Sequence, residues 1–173
     1  TKVVLAVAKN NETNTIPGAI VENFLFDHWK GPLNIFYLFR LMKLIRKHKV
    51  DVIIVEHSYF GWLGLMLRYL TKRPFVIRSH NIEAYRFRDM QRPFWKSYYQ
   101  YEKFIHQKAD HSFFITENDL NYAIEHWKLD PTKCSLATYG VTIDNSVSYS
   151  KALLRRKLLD YYNIPNNTSL FLF

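Results

Sequence analysis

Arg78-Ser79-His80-Asn81-Ile82-Glu83 follows directly on the apolar run Pro74-Phe75-Val76-Ile77. A short β-type run that stops abruptly in polar and ionisable residues is how a parallel α/β sheet presents chemistry, because ligands of such sheets sit outside the carboxyl ends of the strands. Two later stretches fit the same architecture, Ile115-Thr116-Glu117-Asn118-Asp119 and Tyr139-Gly140-Val141. An earlier apolar run, Val50-Asp51-Val52-Ile53-Ile54-Val55, ends in Glu56-His57-Ser58.

Working outward, residues 3–8 read as a further buried strand, and residues 112–115 and 134–137 as two more. Residues 19–29 form a mixed segment, part helical, closed by Gly31-Pro32. A helix is predicted over residues 34–49 with Asn34 as its cap. Its apolar stripe is Ile35, Leu38, Phe39, Met42 and Ile45, and Arg40, Lys43 and Lys47 cluster on another face. Residues 59–70 form a helix weakened by Gly61 and Gly64. Pro93 opens a helix to about residue 109, with Phe94, Tyr98, Tyr101, Ile105 and Ala109 as core stripe and Glu102 at its edge. Thr116 and Asp119 resemble a capping box. Residues 150–162 form a last helix with Asn163 behind it, and residues 169–173 resemble the start of a strand. Strands that alternate with helices, and are continuously apolar, predict an α/β fold: a Rossmann-like parallel sheet with helices on both faces.

The bulk composition agrees with a globular domain. The chain has 173 residues, 48% of them hydrophobic, which suffices for one proper core. Its longest apolar stretch, around residues 60–67, is far short of the roughly 20 residues that span a bilayer. The single cysteine, Cys134, excludes an internal disulfide and suits a reducing compartment. A net charge of +9 favours anionic partners such as phospholipid, nucleotide phosphates or nucleic acid, or is only a soluble basic surface.

In order, the chain offers a strand, His-Asn-x-Glu, a helix with an internal Glu, Ala-Asp before a strand, Thr-Glu-x-Asp after it, and a strand ending in Tyr-Gly-Val. From about residue 50 to 173 this set resembles the amino-terminal half of GT-B glycosyltransferases of the retaining family four. The resemblance implies two Rossmann-like domains across a cleft, the first mainly for the acceptor and the second for a nucleotide-sugar. Residues 1–148 would be the acceptor-side domain, without the family's first strand and glycine-rich loop. Residues 149–173 would be a connecting helix and the first strand of a donor-binding domain. The paired glutamates of that domain are not in this chain, so the fragment alone is expected to be inactive. The resemblance further implies hexose transfer from a nucleotide-sugar to a saccharide or lipid-linked acceptor in cell-surface glycan assembly. No metal or other cofactor would be needed beyond the donor substrate. The protein would be cytoplasmic, at most peripheral to the inner face of the membrane.

By the same resemblance His80 lies near the transferred sugar as the catalytic candidate, whereas by itself a histidine at a strand end is a structural hydrogen-bonding residue. Asn81 is a substrate contact or shapes the loop. Glu83 accepts from an acceptor hydroxyl or pairs with Arg86 or Arg88, and Arg78 binds phosphate or pairs with Glu102. Glu56 and His57 line the acceptor side or form a polar strand end facing solvent. Glu117 follows the family pattern, yet its place at a helix start is explained equally by the dipole. Gly140 is expected to supply a backbone conformation closed to other residues. Tyr139 stands where the family usually has Asn, and Thr142 where it tends to have Asp. Arg40, Lys43 and Lys47, with Phe36 or Tyr37, either dock on an anionic membrane or form a solvated helix face. Two other readings remain at this point. One is a GT-B-shaped sugar-nucleotide epimerase. The other is a basic nucleic-acid module, disfavoured because most aromatics occupy core positions.

Overall fold

The structure, a computed structural model, describes residues 2–11, 16–26, 28, 31–140 and 150–169. It contains two compact units, Thr1–Tyr139 and Gly140–Phe173.

In the first unit, β1 (Val3–Ala8) pairs in parallel with β2 (Ala19–Leu25), with an irregularity between Val7 and Ala8. A second parallel sheet holds β3 (Ile53–Glu56), β4 (Phe75–Ser79), β5 (His111–Phe114) and β6 (Cys134–Leu136) in sequence order. Helices α1 (Phe36–His48), α2 (Gly61–Thr71), α3 (Glu83–Asp89), α4 (Trp95–Lys108) and α5 (Glu117–Trp127) flank the sheets. The α/β expectation therefore stands. All four strands of the second sheet run the same way, so their carboxyl ends lie side by side along one edge.

Several local expectations differ. Residues 19–25 are a strand, not part of a helix: Ile20 and Val21 are β-branched, Phe24 is buried, and the backbone is held by β1. In β3 only Ile53 is buried, and Ile54 is exposed, as befits a strand at the end of its sheet. The stripe of α1 is rotated. Tyr37, Leu38, Leu44 and Ile45 face the core, while Ile35, Phe36 and Phe39 point outward. Asn34 does cap the helix start, accepting from the Phe36 N–H at 3.0 Å. Phe94, just before α4, is exposed, and Glu102 within it is not at the edge but fully buried.

The glycines of α2 have a packing reason. A Cβ on Gly61 would lie 2.3 Å from Cγ2 of Ile105, and one on Gly64 2.4 Å from Cε2 of Phe75. The missing side chains let α2 approach α4 and the buried ring on β4. Thr116 caps α5 as expected, accepting from the Asp119 N–H at 3.1 Å and donating to its carboxylate at 2.8 Å.

The second unit contains α6 (Lys151–Tyr161), opened by Ser150, whose Oγ accepts from the Leu153 N–H. Asn163 takes the left-handed conformation just after it, with φ 51°. The strand expected at the end of the chain has residues 170–173 outside the described part.

Candidate functional site

Three chain segments leaving the carboxyl edge of the second sheet meet. The first is at the end of β3. His57 has φ 63° and ψ 157°, a region all but closed to residues carrying a Cβ. Its N–H still donates to the Arg78 carbonyl at 2.9 Å, so the strain is held in place by the sheet. The chain then turns through a 3-10 segment, Ser58–Phe60, into α2. The second segment follows β4, where Ser79 Oγ donates to the Asn81 carbonyl at 2.6 Å and tightens the loop. The third is Tyr139, three residues beyond β6.

His80 is the meeting point. Its Nε2 lies 2.7 Å from Glu56 Oε2, and its Nδ1 lies 2.7 Å from the Tyr139 hydroxyl. Arg78 donates from Nη1 to the same Glu56 oxygen at 3.3 Å, and its guanidinium lies 4.8 Å from the centroid of the Tyr139 ring. The expected partnership of Arg78 with Glu102 is thereby replaced by one with Glu56, the neighbouring residue in the register of β3 and β4. This group is partly exposed.

A second, more buried group lies behind it, and the His57 and His80 rings join the two at 4.0 Å. Glu83 is 2% exposed, not a surface charge. Its carboxylate accepts from the Tyr59 hydroxyl at 2.5 Å, pairs with Arg86 Nε at 2.8 Å, and faces His57 Nδ1 at 3.5 Å. Burial alone would push its pKa up, but the contacts with His57 and Tyr59 and the Arg86 charge outweigh it and hold the carboxyl below its usual value. Tyr59 is pushed far up by burial and by Glu83, so it remains a donor.

Glu102 supports the loop from below. The start of α3 has no cap of its own at Ile82. Glu102, reaching over from α4, accepts from the N–H groups of Glu83 (3.1 Å) and Ala84 (3.0 Å) and from Ser58 Oγ (2.9 Å). Tyr98 bonds to the same Ser58 hydroxyl at 2.7 Å. Burial raises the Glu102 pKa to about 7 against the pull of these donors. One carboxylate therefore ties β3's exit, the His80 loop and α4 together.

Of the residues singled out from the sequence, Glu56, His57, Arg78, His80, Glu83 and Tyr139 form one connected set. Asn81 sits in the loop with its Oδ1 buried and unpartnered among the described residues. Glu117 opens α5 from the same sheet edge and is exposed. Gly140 begins the second unit, its φ is not left-handed, and a Cβ there would meet nothing within 4 Å. The conformational reason expected for this glycine is therefore absent. Tyr59, Ser58 and Glu102 were the residues sequence reasoning passed over as site members. Their signal was adjacency to Glu56-His57 and a charged residue near an apolar helix stripe.

Among the described residues, no group of three or more His, Cys, Asp or Glu side chains could hold a metal ion. The set does offer a carboxylate acceptor, a guanidinium donor and an imidazole on one partly exposed edge. That combination suits a ligand rich in hydroxyl groups.

No curated protein sequence matches the chain. Among the solved structures that resemble it in fold are the following two. A glycosyltransferase from Rickettsia africae ESF-5 aligns with a TM-score of 0.53 at 18% identity, over 86% of this chain and 37% of that one. Anabaena Alr3699/HepE, solved in complex with UDP, aligns with a TM-score of 0.62 at 13% identity, over 94% of this chain and 50% of that one. The chain thus spans half or less of these proteins. The sequence profile of Glycosyltransferase Family 4 matches residues 3–145, beginning well before the region around residue 50 where the resemblance started. By that match the chain belongs to Glycosyltransferase Family 4.

Proposed function

We propose that this chain forms the acceptor-side wall of a retaining glycosyltransferase, with residues 1–148 as that domain and 149–173 leading into a donor-binding domain. The full enzyme moves a hexose from a nucleotide-sugar to a saccharide or lipid-linked acceptor in cell-surface glycan assembly, on the cytoplasmic side. The observation that carries the reading is the imidazole of His80, held at a parallel-sheet edge between Glu56 and Tyr139. UDP in the structure of Anabaena HepE supports a nucleotide-sugar donor.

In this reading the acceptor or donor sugar places hydroxyl groups against the Glu56, Arg78 and His80 side chains. Both ring nitrogens of His80 already have partners, so a bound hydroxyl replaces one of them, and the other fixes the ring plane. His57, strained and braced by Glu83, keeps the back of the ring against protein. His80 then acts as an oriented hydrogen-bonding group that holds a sugar hydroxyl in place during transfer. Asn81 and Glu117 are retained as lesser contacts of this wall.

The test is transfer by the full-length protein from radiolabelled UDP-glucose, UDP-galactose, UDP-N-acetylglucosamine and GDP-mannose to extracted glycolipid and oligosaccharide acceptors. One donor should support labelled product with the full-length protein, and none with the 173-residue chain alone. Robust transfer by this chain alone would contradict the division of labour. Absence of transfer by the full-length protein from every donor would contradict the reaction.

A further inference from the structure

The apolar residues that α1 turns away from the core form a patch of their own. Leu33, Ile35, Phe36 and Phe39 are exposed by 72%, 45%, 74% and 67%. They do not sit on a loose loop. Trp62 Nε1 donates to the Pro32 carbonyl at 2.7 Å, and Asn34 caps the first turn, so the segment that projects Phe36 is held from both sides. A monomeric surface rarely leaves so many large side chains together without a use.

The flank of the patch is basic. Along the same helix, Arg40, Lys43, Arg46 and Lys47 are all exposed, and α1 contains no acidic residue. Phe39, Met42, Lys43, Arg46 and Lys47 line a concavity of about 490 Å³. Lys47 has only a loose contact, 3.8 Å, with Glu22. A helix that joins projecting aromatics to a band of cations matches a bilayer interface carrying negative charge.

We infer that α1 and the turn before it dock the protein on an anionic lipid bilayer. Phe36 and Phe39 enter the headgroup region, and Lys43, Arg46 and Lys47 meet lipid phosphates. Nucleic acid fits the patch less well: the aromatics stand beside aliphatic Leu33 and Ile35 rather than in a row of stacking platforms. Tyr37, named from the sequence as an interfacial aromatic, is excluded because it is buried and its hydroxyl accepts from the Phe26 N–H. This inference does not depend on the transfer reaction.

The experiment is co-sedimentation of the 173-residue chain with vesicles of phosphatidylcholine alone or mixed with phosphatidylglycerol. Binding is expected to the mixed vesicles only, weakening as salt is raised. Lys43→Ala with Arg46→Ala should reduce it about 30-fold, at roughly fivefold for each basic residue at the surface. Phe36→Ser with Phe39→Ser should reduce it at least about tenfold by removing buried apolar area. Arg92→Ala with Lys96→Ala, which lowers the net charge equally at other exposed positions, should change it less than about threefold. Equal binding to both vesicle types, no binding to either, or an equal loss with the control pair would overturn the proposal. Displacement from vesicles by a short single-stranded oligonucleotide at the same residues would overturn it in favour of nucleic acid.

Discussion

Glu56 is the residue whose role the sequence posed as a choice. It was a wall of the cleft or a solvated strand end. It is partly exposed, yet it bonds both Arg78 and His80. In the proposed reaction it meets a sugar hydroxyl and also orients the imidazole. Glu56→Gln is expected to lower kcat/KM of the full-length enzyme about tenfold, the worth of one charge-assisted bond, with thermal stability little changed. Equal losses in stability and kcat/KM would reduce it to a structural pair. Glu102 makes a prediction on pH. Its folded pKa, about 7, lies above its ordinary 4.5, so folding favours the protonated carboxyl. Its contribution is fully present below about pH 4.5 and lost as pH rises through about 7. Glu102→Gln removes this dependence, so denaturation across that window should show the wild type losing stability relative to the variant as pH rises. Parallel profiles would contradict it. Glu83 has the opposite sign, its stabilisation being lost on acidification. Neither environment was legible in the sequence. Whether a carboxylate is buried, and whose N–H groups meet it, depends on a helix 19 positions away.

At the scale of elements, β3, β4, β5 and β6 were legible because short apolar runs ending in polar residues have few other readings. Helix α3 was missed: its cap is Glu102, remote in sequence, so no local start signal marks it. Strand β2 was missed because Glu22 and Asn23 interrupt its apolar run. The stripe of α1 differs from the expected one because Ile35 and Phe39 are apolar without facing the core. Gly61 and Gly64 were read only as weak helix formers, when they set the distance between α2 and its neighbours. Gly64→Ala is expected to destabilise the chain by about 1–2 kcal/mol, overpacking against Phe75 exceeding the gain in helix propensity. Phe75→Leu should make the same substitution cheaper, as a double-mutant cycle of denaturant midpoints would show. A stabilising Gly64→Ala would mean that α2 can move away. Thr116→Ala should cost about 1 kcal/mol by removing the cap of α5, and an unchanged midpoint would contradict that role.

For the molecule as a whole, the match over residues 3–145 gives the family, and the parallel sheet gives the edge where its chemistry is proposed. The order of strand ends was enough to point from sequence to Glu56, His57, Arg78, His80 and Tyr139, since parallel strands bring their carboxyl ends together whatever lies between them. Sugar, nucleotide and acceptor were not legible for a physical reason. Selectivity among sugars comes from hydroxyl-by-hydroxyl contacts, and the chain covers only 37% and 50% of two structures that it resembles. The most direct test of the central claim is the turnover of the full-length enzyme with His80→Ala. The account predicts a fall in kcat of about 100-fold or more, with the unfolding temperature unchanged, because the group that orients the reacting sugar is lost. Turnover within about twofold of the wild type would show that the imidazole between Glu56 and Tyr139 takes no part in transfer.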